Sequence, residues 1–158
     1  MVLVFAYGNS LRRDDGAGFI LGELVERMLS EAGLEAERID SHQLEPEFVL
    51  DISGEKVSAV VFIDTRAVPD APGADDLSVH ISRIVPAEDA SPSSCHNLDA
   101  SVLMAYARYL FKKEPPAWLI TVPGIDFDHG EGLSETALEA IRSASEMLHE
   151  FIRLLPIS

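Results

Sequence analysis

The sequence predicts an α/β fold, a three-layer α/β/α sandwich around a mostly parallel central sheet of about five strands, and three observations carry that prediction. The runs "VLVFAYG" from Val2 and "KVSAVVFID" ending at Asp64 are apolar almost without interruption, as strands covered on both faces are. Apolar residues at helical spacing lie between and after them. The chain has 158 residues, 47% hydrophobic and 25% charged, which suffices for one core without disulfide or metal staples. Residues 1–158 are therefore read as one domain.

The elements follow in order. "VLVFAYG" is the first strand, placed centrally in the sheet. Ala17, Ile20, Leu21, Leu24, Val25, Met28 and Leu29 repeat as one helical face opposite Glu23, Glu26 and Arg27, and Gly33 ends that pattern. "LEAERID" forms a second strand and "LEPEFVLDISG" a short helix carrying Glu45 and Glu47 on its face. "KVSAVVFID" is the third strand. "DLSVHISRIV" alternates apolar and polar residues, which predicts a half-exposed edge strand open to antiparallel pairing. "EDASPSSCHN" is a polar loop. Leu98, Val102, Ala105, Tyr106 and Tyr109 mark a helix with Asn97 as its cap. "PPAWLITVPGI" is the last strand, and Ser134 with Glu135 opens one final helix with Leu138, Ile141, Leu148, Ile152 and Leu155 on its buried stripe.

Charge and composition narrow the function. A net charge of -15 works against nucleic acid and anionic membranes, because phosphate binding relies on clustered cations. No apolar run reaches the roughly 20 residues of a spanning helix, and the N-terminus starts a strand instead of a signal peptide, so a cytoplasmic protein without membrane insertion is expected. Cys95, the single cysteine, cannot form an internal disulfide or a thiolate zinc site. Any metal must be held by oxygen and nitrogen.

Strand–helix alternation places function at the carboxyl ends of the strands. Asp15 follows the first strand, Asp64 ends the third, and His96 precedes the helix after the fourth. Each has a plain structural reading. Asp15 can cap the helix after it, Asp64 can cap a turn, and His96 can be a loop imidazole. "YGNSLRRDDGAG" is not a phosphate loop, since it lacks both G-x-G-x-x-G and G-x-x-x-x-G-K-[ST] and offers only Arg12 and Arg13 beside the acids Asp14 and Asp15. Yet a carboxylate finishing a buried strand needs a partner. Two carboxylates and one imidazole from different strand ends suit a divalent transition metal with positions left open for solvent or substrate. Cys95 beside His96 is the rival, a thiol nucleophile with a neighbouring base. His42, His80, His129 and His149 read as solvated loop, strand or helix residues.

"GNSLRRDDGAG", "VVFIDTRAV", "SSCHNLDASVLMAYA" and "LITVPGIDFDHGEGLSETALEAI", in this order and spacing, resemble the hydrogenase maturation endopeptidases that process nickel-iron hydrogenase large subunits. The resemblance spans nearly the whole chain. It implies that Asp15, Asp64 and His96 are the catalytic and metal-site residues, with aspartate at Asp15 where such proteins often have glutamate. "HQLEPE" after the second strand, from His42 to Glu47, resembles the subgroup serving soluble bidirectional hydrogenases.

That resemblance implies a peptidase that trims a C-terminal peptide from the large-subunit precursor once nickel is in place. The nickel would arrive within the substrate and dock on the three residues, and no organic cofactor is needed. The protein itself would be a monomer or weak homo-oligomer. A non-catalytic metal-dependent binding or chaperone module with the same three ligands is the alternative.

Overall fold

The computed structural model describes residues 1–88 and 98–156, so Cys95, His96 and Asn97 lie outside the described residues. Five strands form one sheet in the order β2-β1-β3-β5-β4. They are β1 (Val2–Tyr7), β2 (Ala36–Ser41), β3 (Ala59–Ala67), β4 (His80–Ile84) and β5 (Ala117–Gly124). All neighbours pair in parallel except β4, which runs antiparallel to β5 at the edge. The alternation in "DLSVHISRIV" is explained by that half-covered position.

Why the strand sequences are continuously apolar is visible in their two faces. Val2, Val4 and Ala6 of β1, with Ala59, Val61 and Ile63 of β3, pack under α1 (Ala17–Glu31) and the last helices of the chain. Leu3, Phe5, Val60 and Phe62 point the other way, under α2 (Phe48–Ile52) and α3 (Ala100–Phe111). Phe5 stacks between Phe48 and Phe62 with ring centroids 5.0 and 5.4 Å apart, which anchors the short α2. The sandwich thus has three layers.

Several boundaries differ from the sequence reading. The middle of the sheet belongs to β3, and β1 is interior beside it. Helix α2 is only five residues long, and Glu45 and Glu47 sit exposed in the turn before it instead of on its face. The cap of α3 is Asp99, whose Oδ1 accepts the Val102 N–H at 2.9 Å, two residues beyond the predicted Asn97. The last helix is two, α4 (Glu135–Ser143) and α5 (Ser145–Leu154), parted at Ser-Ala-Ser, where the buried Ala144 makes a shorter i→i+3 bond to Ile141 O. Ser134 caps α4 through the Ala137 N–H, as its sequence position predicts.

This topology places the site. From β1 the chain crosses through α1 to β2 on one side, while β3 lies on the other side of β1 and its chain continues toward β4 and β5. The connections leaving β1 and β3 diverge, which makes their carboxyl ends a topological switch point, the place where open α/β sheets carry a ligand crevice. Among the described residues no helix is long and apolar enough to cross a membrane.

Candidate functional site

Strand periodicity sets which residues face the crevice, and β3 does not stop at Asp64 as the sequence suggests but runs on to Ala67, held by its ladder to β5. On β1, Leu3 and Phe5 face α2 and α3, so Tyr7 does too; on β3, Val60 and Phe62 do, so Asp64 follows. The register pairs Ala6 with Ile63, and one step further Tyr7 stands beside Asp64. An apolar alternation therefore ends in two polar groups on one face.

Asp15 is delivered by a tight return of the chain. Gly8 has φ +148°, and any side chain there would collide with the Asp15 carbonyl oxygen. The Asp15 carboxylate accepts the Asn9 N–H at 2.9 Å, and Leu11 N–H in turn donates to Asn9 Oδ1 at 3.0 Å. Asp15 thus braces the loop before its own 3-10 turn, Arg13–Gly16, and does not cap α1, whose N-cap position is Gly16 with no side-chain bond. Gly18 lets the first turn of α1 lie on the strand ends: a Cβ there would be 3.1 Å from Tyr7 O and 3.6 Å from the Asp64 Cα.

Among the described residues no basic side chain forms an ion pair with Asp15 or Asp64. Burial pushes the Asp64 carboxyl up to about 6, the Thr65 N–H donating to its Oδ1 at 2.7 Å opposes this, and the nearby Asp15 charge adds to the rise. Burial, then Asp64 and then Asp99, raise the Tyr7 phenol above its ordinary value, so it stays protonated. Tyr7 and Asp99 were not singled out in the sequence. The signal for Tyr7 was its strand parity, whereas Asp99 needed the docking of α3.

Asp14 behaves differently from its neighbour. It is 0% exposed, and its carboxylate accepts from Ile125 N–H, Asp126 N–H, Ser134 N–H and Ser134 Oγ at 2.7–3.1 Å. Burial alone would raise its pKa, but these hydrogen bonds outweigh burial and hold the carboxyl below its ordinary value. Of the two adjacent acids, Asp14 faces inward and locks the β1–α1 turn to the β5–α4 loop.

Other residues singled out in the sequence have ordinary places. Arg12 donates from Nε to Phe127 O at 3.2 Å, and Arg13 pairs with Asp126 at 3.6 Å, so both zip the same two loops together. His42 and His129 are exposed. His80 Nε2 lies 2.8 Å from Asp75 O, and His149 Nδ1 lies 2.8 Å from Ser145 O. Of the three expected ligands, Asp15 and Asp64 come together at the switch point. His96 lies outside the described residues, and among those described no third acidic, imidazole or thiol side chain completes a ligand cluster.

No family model matches the sequence, and no curated protein matches it either. Solved structures do match. The hydrogenase maturating endopeptidase HybD from E. coli superposes with a TM-score of 0.66 at 17% identity, over 96% of this chain and 91% of that one. The fold is that of the hydrogenase maturation endopeptidases. The hydrogenase 2 maturation peptidase from a Thaumarchaeota archaeon gives a TM-score of 0.63 at 22% identity, over 97% of this chain and 98% of that one. The [NiFe] hydrogenase maturation protease HycI from Thermococcus kodakarensis gives 0.64 at 19%, over 96% and 92%. A fold shared over nearly the whole chain thus stands beside two acids that, among the described residues, pair with no cation.

Proposed function

We propose that this chain is the endopeptidase of a hydrogenase maturation step, which removes the C-terminal peptide from a nickel-loaded large-subunit precursor. The observation that carries the reading is the meeting of Asp15 and Asp64, 49 positions apart in the sequence, at the switch point of this fold. Among the described residues no cation pairs with either acid, and Asp64 is held partly buried at some cost in charge solvation. Such a pair gains most when a substrate brings the positive charge itself.

In this reading nickel is part of the substrate, and Asp15, Asp64 and His96 recognise it; oxygen and nitrogen donors of this kind suit a borderline divalent ion. The Thr65 N–H fixes one Asp64 oxygen, and the other would take the ion. Asn9 N–H fixes Asp15 in the same way. Once docked, the metal supplies Lewis-acid polarisation to the scissile region. In this reading a carboxylate oxygen of Asp15 or Asp64 takes a proton from the attacking water, and no organic cofactor takes part.

The experiment is direct. Purified chain is added to precursor large subunit with and without nickel, and the precursor is followed by intact mass. Loss of a C-terminal peptide only from the nickel-loaded form supports the reading. Stable binding to loaded precursor with no shortening supports the non-catalytic binding module instead.

A further inference from the structure

Asp14 touches both strand ends at once. Its carbonyl oxygen accepts the Ala17 N–H that follows the 3-10 turn and also Thr65 Oγ1 at 2.8 Å. Thr65 is the residue after Asp64, and Asp15 is the residue after Asp14. Close approach at this point depends on Gly124, where a Cβ would lie 2.7 Å from Thr65 Cγ2 and 3.1 Å from Asp14 Cβ. With the Asp14 N–H donating to Asp126 O at 3.0 Å and the carboxylate taking four donors, the polar atoms of Asp14 are all engaged.

We propose that Asp14 and Thr65 are positioning residues that set the spacing of the Asp15 and Asp64 carboxylates, with the Thr65 hydroxyl as the tie between the two strand ends. The inference rests on the reading of Asp15 and Asp64 as metal ligands. Two like charges side by side repel, and without a tie the turn after β1 and the end of β3 drift apart. Metal–ligand distances tolerate about 0.2 Å, and contacts that orient ligands from behind are worth about 10–100-fold in metal affinity. The β5–α4 loop, bound to the same Asp14 carboxylate, is the rigid body from which the tie works.

Thr65→Val is the decisive variant, because it keeps the shape and the Cγ2 contact, removes only the hydroxyl, and leaves the Asp14 carbonyl its Ala17 partner. The full chain is titrated with Co²⁺, read by its visible absorption, and with Ni²⁺ by calorimetry, alongside thermal unfolding. Thr65→Val should bind both ions about 10-fold more weakly or worse, with an altered cobalt spectrum, while folding normally. Thr65→Ser, which restores the hydroxyl, should recover affinity and spectrum. Val25→Ala, a core change in α1, should lower the melting temperature and leave both readouts alone, separating positioning from general stability. Parental affinity and spectrum in Thr65→Val, with binding abolished in Asp64→Asn, overturn the positioning role and spare the ligand reading. No binding by the parental chain, and no change in Asp64→Asn, overturn the ligand reading and this inference with it.

Discussion

The latch at Asp14 and the crevice at Asp15 and Asp64 lie side by side on one sheet edge, yet they treat a carboxylate in opposite ways. At the latch four hydrogen bonds converge on a fully buried acid and lower its pKa. In the crevice burial and a like charge raise that of Asp64 against the opposing Thr65 amide. Hydrogen-bond donors, not burial, separate the two. An acid whose donors are all supplied by its own chain is structural, and an acid left short of them is available to a ligand.

Four measurements break or sharpen this contrast, taken from the largest expected effect to the smallest. Asp64→Asn should abolish cleavage of nickel-loaded precursor, by at least about 100-fold, because asparagine keeps shape and hydrogen bonding but not charge. The same variant should not lose stability. Because the folded-state pKa of Asp64 is raised to about 6, the folded parent gains a proton below that pH which the unfolded chain does not, so its charge weakens the fold at neutral pH and above. The asparagine variant escapes that penalty, and its melting temperature at pH 8 should equal or exceed the parental one. A fall of several degrees there, with cleavage intact, makes Asp64 structural.

Asp14→Asn, in contrast, should lose stability. The amide presents one NH2 to donors that need an acceptor, which costs about 3 kcal/mol, or about 6–12 °C in melting temperature for a chain of this size. The pH dependence identifies the cause. A depressed folded-state pKa gives stability that is full above the unfolded value and is lost as the pH falls through the folded value, so the parent should lose this contribution in acid and Asp14→Asn should have none to lose. Equal melting temperatures for the two proteins at neutral pH would remove the latch.

Asp15→Glu keeps the charge and adds one methylene, and the Asn9 N–H can still be met by the longer side chain. Cleavage should persist at a rate reduced by about tenfold or less, in line with the shift of a ligand whose identity is kept. Complete loss would mean that the crevice is tuned to the shorter acid. Cys95→Ser should change precursor processing least of all, and loss of cleavage with folding intact would transfer the chemistry to the thiol.

Much of the sheet was legible because two-sided burial writes itself as unbroken apolar runs in β1 and β3, and half-exposure as the alternation of β4. Asp15 and Asp64 were legible as acids placed just beyond such runs. Local signals were misleading where tertiary contacts decide the outcome. Asn97 resembled a cap, but Asp99 has the reach to Val102; one amphipathic pattern from Ser134 to Leu155 concealed the break at Ala144.

By itself the sequence determined the layer architecture, the placement of the acids after apolar strand runs and the absence of a cationic phosphate loop, all of which depend on periodicity and residue type along the chain. Only the tertiary structure decided that Asp14 and Asp15 have different fates. Adjacent residues with the same side chain are equivalent to any local rule. They become different when Ile125, Asp126 and Ser134, more than 100 positions away, bring their donors to one carboxylate and not to the other. The same long-range convergence places Asp99 near Tyr7, because helix docking depends on the shape of the whole core and not on any stretch within it.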